Sequence, residues 1–139
     1  MLDCEKLQPF DVLRFPYEFV GDPDRVPKRF VVARNVVEFE ILRCFKPTSK
    51  TEYYDAEPLR LKGVVEFLPG QVDCFADRTL IPPDTYDISY AYIRACHKNG
   101  EFQYLDRLAD GFRERMNAAA TGKPEWRKKN RDHFFGWFI

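Results

Sequence analysis

A chain of 139 residues with 45% hydrophobic content is long enough to bury one core without a metal or disulfides, and nothing in it suggests a second domain. Twenty-two Lys and Arg balance twenty-two Asp and Glu, which excludes a nucleic-acid binder that works through overall charge while leaving room for a local basic patch. Cys4, Cys44, Cys74 and Cys96 include no C-x-x-C pair, the amino terminus lacks a signal-peptide apolar segment, and no apolar run reaches membrane-spanning length, so a soluble cytoplasmic protein with reduced thiols is expected.

In chain order, Phe10 to Phe19 alternates, with Leu13, Phe15, Tyr17 and Phe19 on one side, and predicts a strand that Pro16 makes an edge or bulged one. Gly21 to Pro27 is a polar loop rich in turn formers, of the kind that lies over a site. Phe30-Val31-Val32-Ala33 reads as a short buried strand, Asn35 as a turn residue, and Val36 to Phe45 as a third strand completing a meander. Val64 to Leu68 and Val72 to Ala76 read as strands joined by the turn Pro69-Gly70, and Pro82-Pro83-Asp84 ends the sheet region. Thirteen Phe and seven Tyr predict a core of rings packed on strands.

The second half changes period. Phe102, Leu105, Ala109, Phe112, Met116 and Ala119 recur at three and four and predict one long amphipathic helix, capped by Asn99 and ended by Gly122 and Pro124. The remaining tail is basic and then aromatic. The expected architecture is mainly β with α: one domain with a small, bent β barrel over about residues 9–95, a helix packed on it over about 100–121, and the tail 122–139.

Pro47-Thr48-Ser49-Lys50 sets two hydroxyls and an ammonium just past the third strand, and Lys28-Arg29 can bring a guanidinium to the same place. A guanidinium beside a hydroxyl can hold a phosphate and stabilise charge on it. These residues suggest an anion site without naming a reaction.

Three of these pieces, in this order, resemble the MazF/PemK-type toxins. Phe10-Asp11-Val12-Leu13-Arg14-Phe15-Pro16-Tyr17 is similar to the family's opening strand, Lys28-Arg29-Phe30-Val31-Val32 to its arginine-bearing second strand, and Lys46-Pro47-Thr48-Ser49-Lys50 to the segment closing its third. Phe10, Phe30 and Lys46 depart from the family's usual glycine, proline and apolar residue. The resemblance implies an SH3-like barrel, usually dimeric, that cuts single-stranded RNA by attack of a ribose 2′-hydroxyl, needs no metal or cofactor, and is restrained by an antitoxin protein. It implies Arg29 as stabiliser of the phosphorane and Thr48 as donor to a non-bridging oxygen, with Ser49 beside it as a second donor.

Each of these residues also has a plainer role. Arg29 can pair with Asp22 or Asp24, and Thr48 and Ser49 can bond local backbone after a proline. Lys28, Lys46 and Lys50 can contact RNA phosphates or stand solvated. In the tail, Arg127 and Lys128 can lie along RNA with Trp126 or Trp137 stacked on a base, or Phe134 to Ile139 can plug the core or form a dimer contact. His97 and His133 sit in no motif, and Asp73, Asp77 and Asp84 are read as turn and capping residues before metal ligands. Two functions follow: the toxin-type endoribonuclease, and a non-catalytic β-barrel module that binds a protein or nucleic-acid partner.

Overall fold

The alternating first third folds as expected into an antiparallel meander, β1 (Asp11–Pro16), β2 (Pro27–Val36) and β3 (Ile41–Phe45), in a computed structural model that describes residues 2–18, 26–57, 64–82, 85–108 and 111–120. Leu13 and Phe15 share one face with Phe30 and Val32, whereas Val12 and Val31 face the other side, as the two-residue period requires. The rings of Phe15 and Phe30 stack with centroids 4.6 Å apart. Burying such rings supplies roughly 2 to 3 kcal/mol each.

Several expected elements are corrected. β1 is not an edge strand, because β7 (Gln103–Arg107) pairs along its other side. Pro16 is tolerated because that pairing stops at Arg14, so its missing N–H withdraws nothing from the β7 ladder. Nor is β1 bulged against β7: the register shifts opposite Val12 and Leu13, where the extra residue is Leu105 of β7. The run from Val36 to Phe45 breaks at a 3-10 turn, Val37–Phe39, after which Glu40 takes a left-handed conformation with φ 53° and turns the chain into β3. Asn35 lies within β2, opposite Leu42. Its side-chain amide donates to the carbonyls of Cys4 and Leu7 at 2.8 Å each and its oxygen accepts from the Tyr90 hydroxyl, so it tethers the amino-terminal 3-10 turn (Cys4–Lys6) and the helix that begins at Tyr90 to the sheet.

Pro69-Gly70 does make a turn, with Gly70 at φ 72°. However, β4 (Val65–Phe67) pairs with β5 (Thr79–Ile81) and not with residues 72–76, where Val72 and Phe75 share one isolated bridge. Pro82-Pro83-Asp84 does not end the sheet, since β6 (Thr85–Ser89) follows and pairs with β3. A short α1 (Glu52–Asp55) and a longer α2 (Tyr90–Lys98) were absent from the sequence expectation.

The expected long helix is replaced by β7 and the shorter α3 (Gly111–Ala120). Phe102 and Leu105 are three apart, a spacing that shares a face in a helix but opposes faces in extended chain. Accordingly Phe102 packs with the Phe15 side of the sheet and Leu105 with the Val12 side. Asn99 caps the end of α2 instead of starting a helix. Gly100 at φ 73° donates to His97 and Glu101 donates to Cys96 at 2.8 Å, the paired bonds of a Schellman ending.

The five strands order as β6-β3-β2-β1-β7, and β4-β5 is a separate two-stranded sheet. The described residues therefore form an open, mainly β sheet with helices, and no closed barrel among them. α2 and the amino-terminal turn cover one face; β4, β5 and α3 cover the other, with Phe112 edge-on to Phe10 at 5.0 Å. No helix among the described residues is long and apolar enough to cross a membrane.

Candidate anion-binding site

Antiparallel register decides where the chemistry gathers. Val31 faces Phe45 across β2 and β3, so the residues just before Val31 meet those just after Phe45. Arg29 also faces Arg14 across β1 and β2. The hairpin then brings in a third wall, because Thr48 and Leu80 exchange backbone hydrogen bonds of 2.8 and 2.9 Å.

The result is an open cavity of about 340 Å³ lined by Arg14, Val26, Pro27, Lys28, Arg29, Lys46, Pro47, Thr48, Ser49, Lys50, Phe75 and Thr79. That volume is at the small end of ligand sites, which run from roughly 300 to 1,000 Å³. All six sequence candidates from the strand ends, Lys28, Arg29, Lys46, Thr48, Ser49 and Lys50, line this one cavity. Trp126, Arg127 and Lys128 lie outside the described residues, as do Asp22, Asp24, Asp84, His133 and Phe134 to Ile139.

The electrostatics are one-sided. Five lining residues are cationic, and among the described lining residues none is a carboxylate or histidine, although the whole chain has no net charge. Arg14 and Arg29 stand directly opposite each other across the strands, an arrangement that opposes folding. Arg14 donates to the Gln103 side chain at 3.3 Å, and Lys28 donates to the Tyr17 carbonyl. Both acceptors are neutral, so neither cation is neutralised by that bond. Among the described residues no carboxylate pairs with Arg29, which is exposed. Burial pushes the Cys74 thiol up to about 11, the negative Asp106 adds to the rise, and the positive field of Arg29 works against it.

The Thr48 hydroxyl keeps a donor available. The Thr48 Oγ1 accepts the Lys50 backbone N–H at 3.2 Å, so its own O–H remains to donate. This bond is the local turn contact expected of a hydroxyl after proline, and it orients the side chain without consuming its proton. Thr79 is buried and its hydroxyl donates to the Asp77 carbonyl at 2.9 Å.

Arg14, Phe75 and Thr79 were not expected here. Arg14 had a readable signal, because it interrupts the Val12 side of an apolar alternation where a core residue belongs. Phe75 and Thr79 had none, since hairpin docking alone delivers them. His97 is not at this site; it lines a second cavity of about 540 Å³ with Asp11, Tyr104 and Arg107. There the buried Asp11 accepts the Tyr104 hydroxyl at 2.8 Å. Desolvation, followed by that bond, pushes the Tyr104 phenol up to about 12. Among the described residues no three His, Cys, Asp or Glu side chains gather as a metal-binding group, Asp73 and Asp77 included.

Comparison with family models, curated proteins and solved structures finds no match to this chain.

Proposed function

We propose that this protein is a metal-independent endoribonuclease of the toxin type, cutting single-stranded RNA at the cavity between β1, β2 and the segment after β3. The observation that carries the reading is the facing pair Arg14 and Arg29 in a cavity with three lysines and no described acidic residue. A phosphodiester placed there relieves a repulsion that the fold otherwise bears.

In the proposed reaction the 2′-oxygen attacks the adjacent phosphorus and the bond to the 5′-oxygen breaks. The products are a 2′,3′-cyclic phosphate and a 5′-hydroxyl, and the proton lost from the 2′-hydroxyl ends on the leaving oxygen. Arg29 stabilises the extra charge of the phosphorane. Thr48 donates to a non-bridging oxygen, with Ser49 as a second donor. Lys28, Lys46 and Lys50 hold flanking phosphates. The SH3-like barrel of the MazF/PemK-type toxins, their dimeric state and restraint by an antitoxin belong to the same proposal. The Thr48–Leu80 bridge supports the barrel by joining the hairpin to the chain that continues β3.

A second reading, a non-catalytic module that grips the RNA backbone, is favoured by the lack of any histidine or carboxylate among the described lining residues, since proton transfer ordinarily uses such groups. One experiment separates the two. Purified protein is incubated with varied single-stranded RNAs in a chelator, and the products are analysed for cyclic phosphate ends. Cutting that Arg29→Ala abolishes supports the nuclease. Tight binding with intact RNA supports the module and rejects the nuclease.

A further inference from the structure

Immediately beyond Lys50 the chain makes α1, whose Tyr53 is 63% exposed. Tyr53 follows Lys50 by three residues, so its Cα lies within about 11 Å of that cavity-lining residue. The turn is fixed at its other end as well. Asp55 accepts two bonds from one Arg78 nitrogen at 2.9 and 2.8 Å, and Arg78 directly precedes Thr79 in the cavity wall. Glu66 of β4 also accepts from Arg78, so α1 is tied to the hairpin that forms that wall.

Tyr54 braces the ring. It is half-buried and meets Tyr53 edge-to-face, with centroids 5.2 Å apart and planes at 90°. A flat ring held on an anchored turn beside a basic cavity has the two parts that single-stranded nucleic-acid sites combine, a cationic track for phosphates and a platform for a base.

We infer that Tyr53 is a stacking platform for an unpaired nucleobase of the strand whose phosphate occupies the Arg29 cavity. This assignment rests on the phosphate reading above and adds a requirement to it. The ligand must carry a base free to leave its helix, so duplex RNA and base-free polyanions lose this contact.

The test measures binding of two labelled probes of equal length and charge, a single-stranded RNA and its abasic counterpart, to the full chain and to Tyr53→Ala, Tyr53→Phe and Arg29→Ala. Tyr53→Ala is expected to weaken the RNA roughly tenfold and leave the abasic probe unchanged, the scale of one stacked base. Tyr53→Phe, which keeps the ring, should stay close to the parent. Arg29→Ala should weaken both probes. If Tyr53→Ala leaves RNA binding intact, or weakens both probes alike, while Arg29→Ala still weakens both, the platform is overturned and the phosphate site stands. If Arg29→Ala changes neither probe, the phosphate site fails and the assignment of Tyr53 to it fails with it.

Discussion

Phe10 holds a backbone conformation, φ 75°, that glycine adopts freely and an aromatic residue does not. The strain costs on the order of 1 kcal/mol. It persists because the ring is buried and packs edge-on against Phe112, and because the Phe10 amide and carbonyl bond Val32 and Leu108 at 2.8 and 2.9 Å. Losing a buried phenyl costs about 3 to 5 kcal/mol, so packing outweighs strain. Phe10→Gly should therefore destabilise the protein by about 2 to 4 kcal/mol, measured as a lower denaturant midpoint. A more stable variant would show that strain dominates. Asn35 teaches the same lesson with hydrogen bonds: a residue whose type suggests a turn sits inside a strand because its side-chain amide holds two other segments, through the carbonyls of Cys4 and Leu7 and the hydroxyl of Tyr90.

Among the elements, α2 was the most readily overlooked and is well specified locally. Ser89 accepts the Tyr92 N–H at 3.1 Å, and Tyr90, Ile93 and Cys96 form a buried stripe at spacing three. Gly100 ends the helix. A Cβ there would meet nothing within 4 Å, so substitution is penalised by backbone conformation alone. Gly100→Ala should cost about 1 kcal/mol, read by chemical denaturation, with the fold retained. A much larger loss would mean that the turn has packing partners beyond its own backbone. The Asn99-Gly100 pair explains why a single long helix was expected: the same asparagine can begin one helix or finish another, and the stripe beyond it mixes strand and helix residues whose spacings coincide.

For the molecule as a whole, charge is balanced in sum and separated in space. Arg43 pairs with Asp87 at 2.9 Å and Arg78 with Asp55 at 2.8 Å, whereas the cavity cations face one another with no described acidic residue among them. Surface pairs of the first kind add little stability. The anion binding proposed for such a cationic cluster is expected to depend on salt. Affinity for single-stranded RNA should fall linearly with the logarithm of salt concentration, and Lys46→Ala should reduce that slope by about 0.7, one phosphate contact on a single strand. Fluorescence anisotropy across a salt series checks this, and an unchanged slope would remove Lys46 from the phosphate track.

The sequence alone determined what depends on near neighbours. Alternation set the faces of β1 and β2, Pro69-Gly70 set a turn, and the order of strands brought Arg29 toward Thr48, because consecutive antiparallel strands join their ends by local geometry. Tertiary structure decided what depends on distant pairing. β7 reaches β1 across most of the chain, so no local pattern marks Gln103 as the partner of Arg14, and the break that Arg14 makes in the alternation does not by itself say which residues it joins. The open sheet of the described residues was decided in the same way, since closure depends on which edges meet and not on the period within any strand. Thr79 and Phe75 enter the cavity only when the hairpin docks on Thr48, a contact whose energy comes from burial shared among remote residues and is therefore invisible in any one segment.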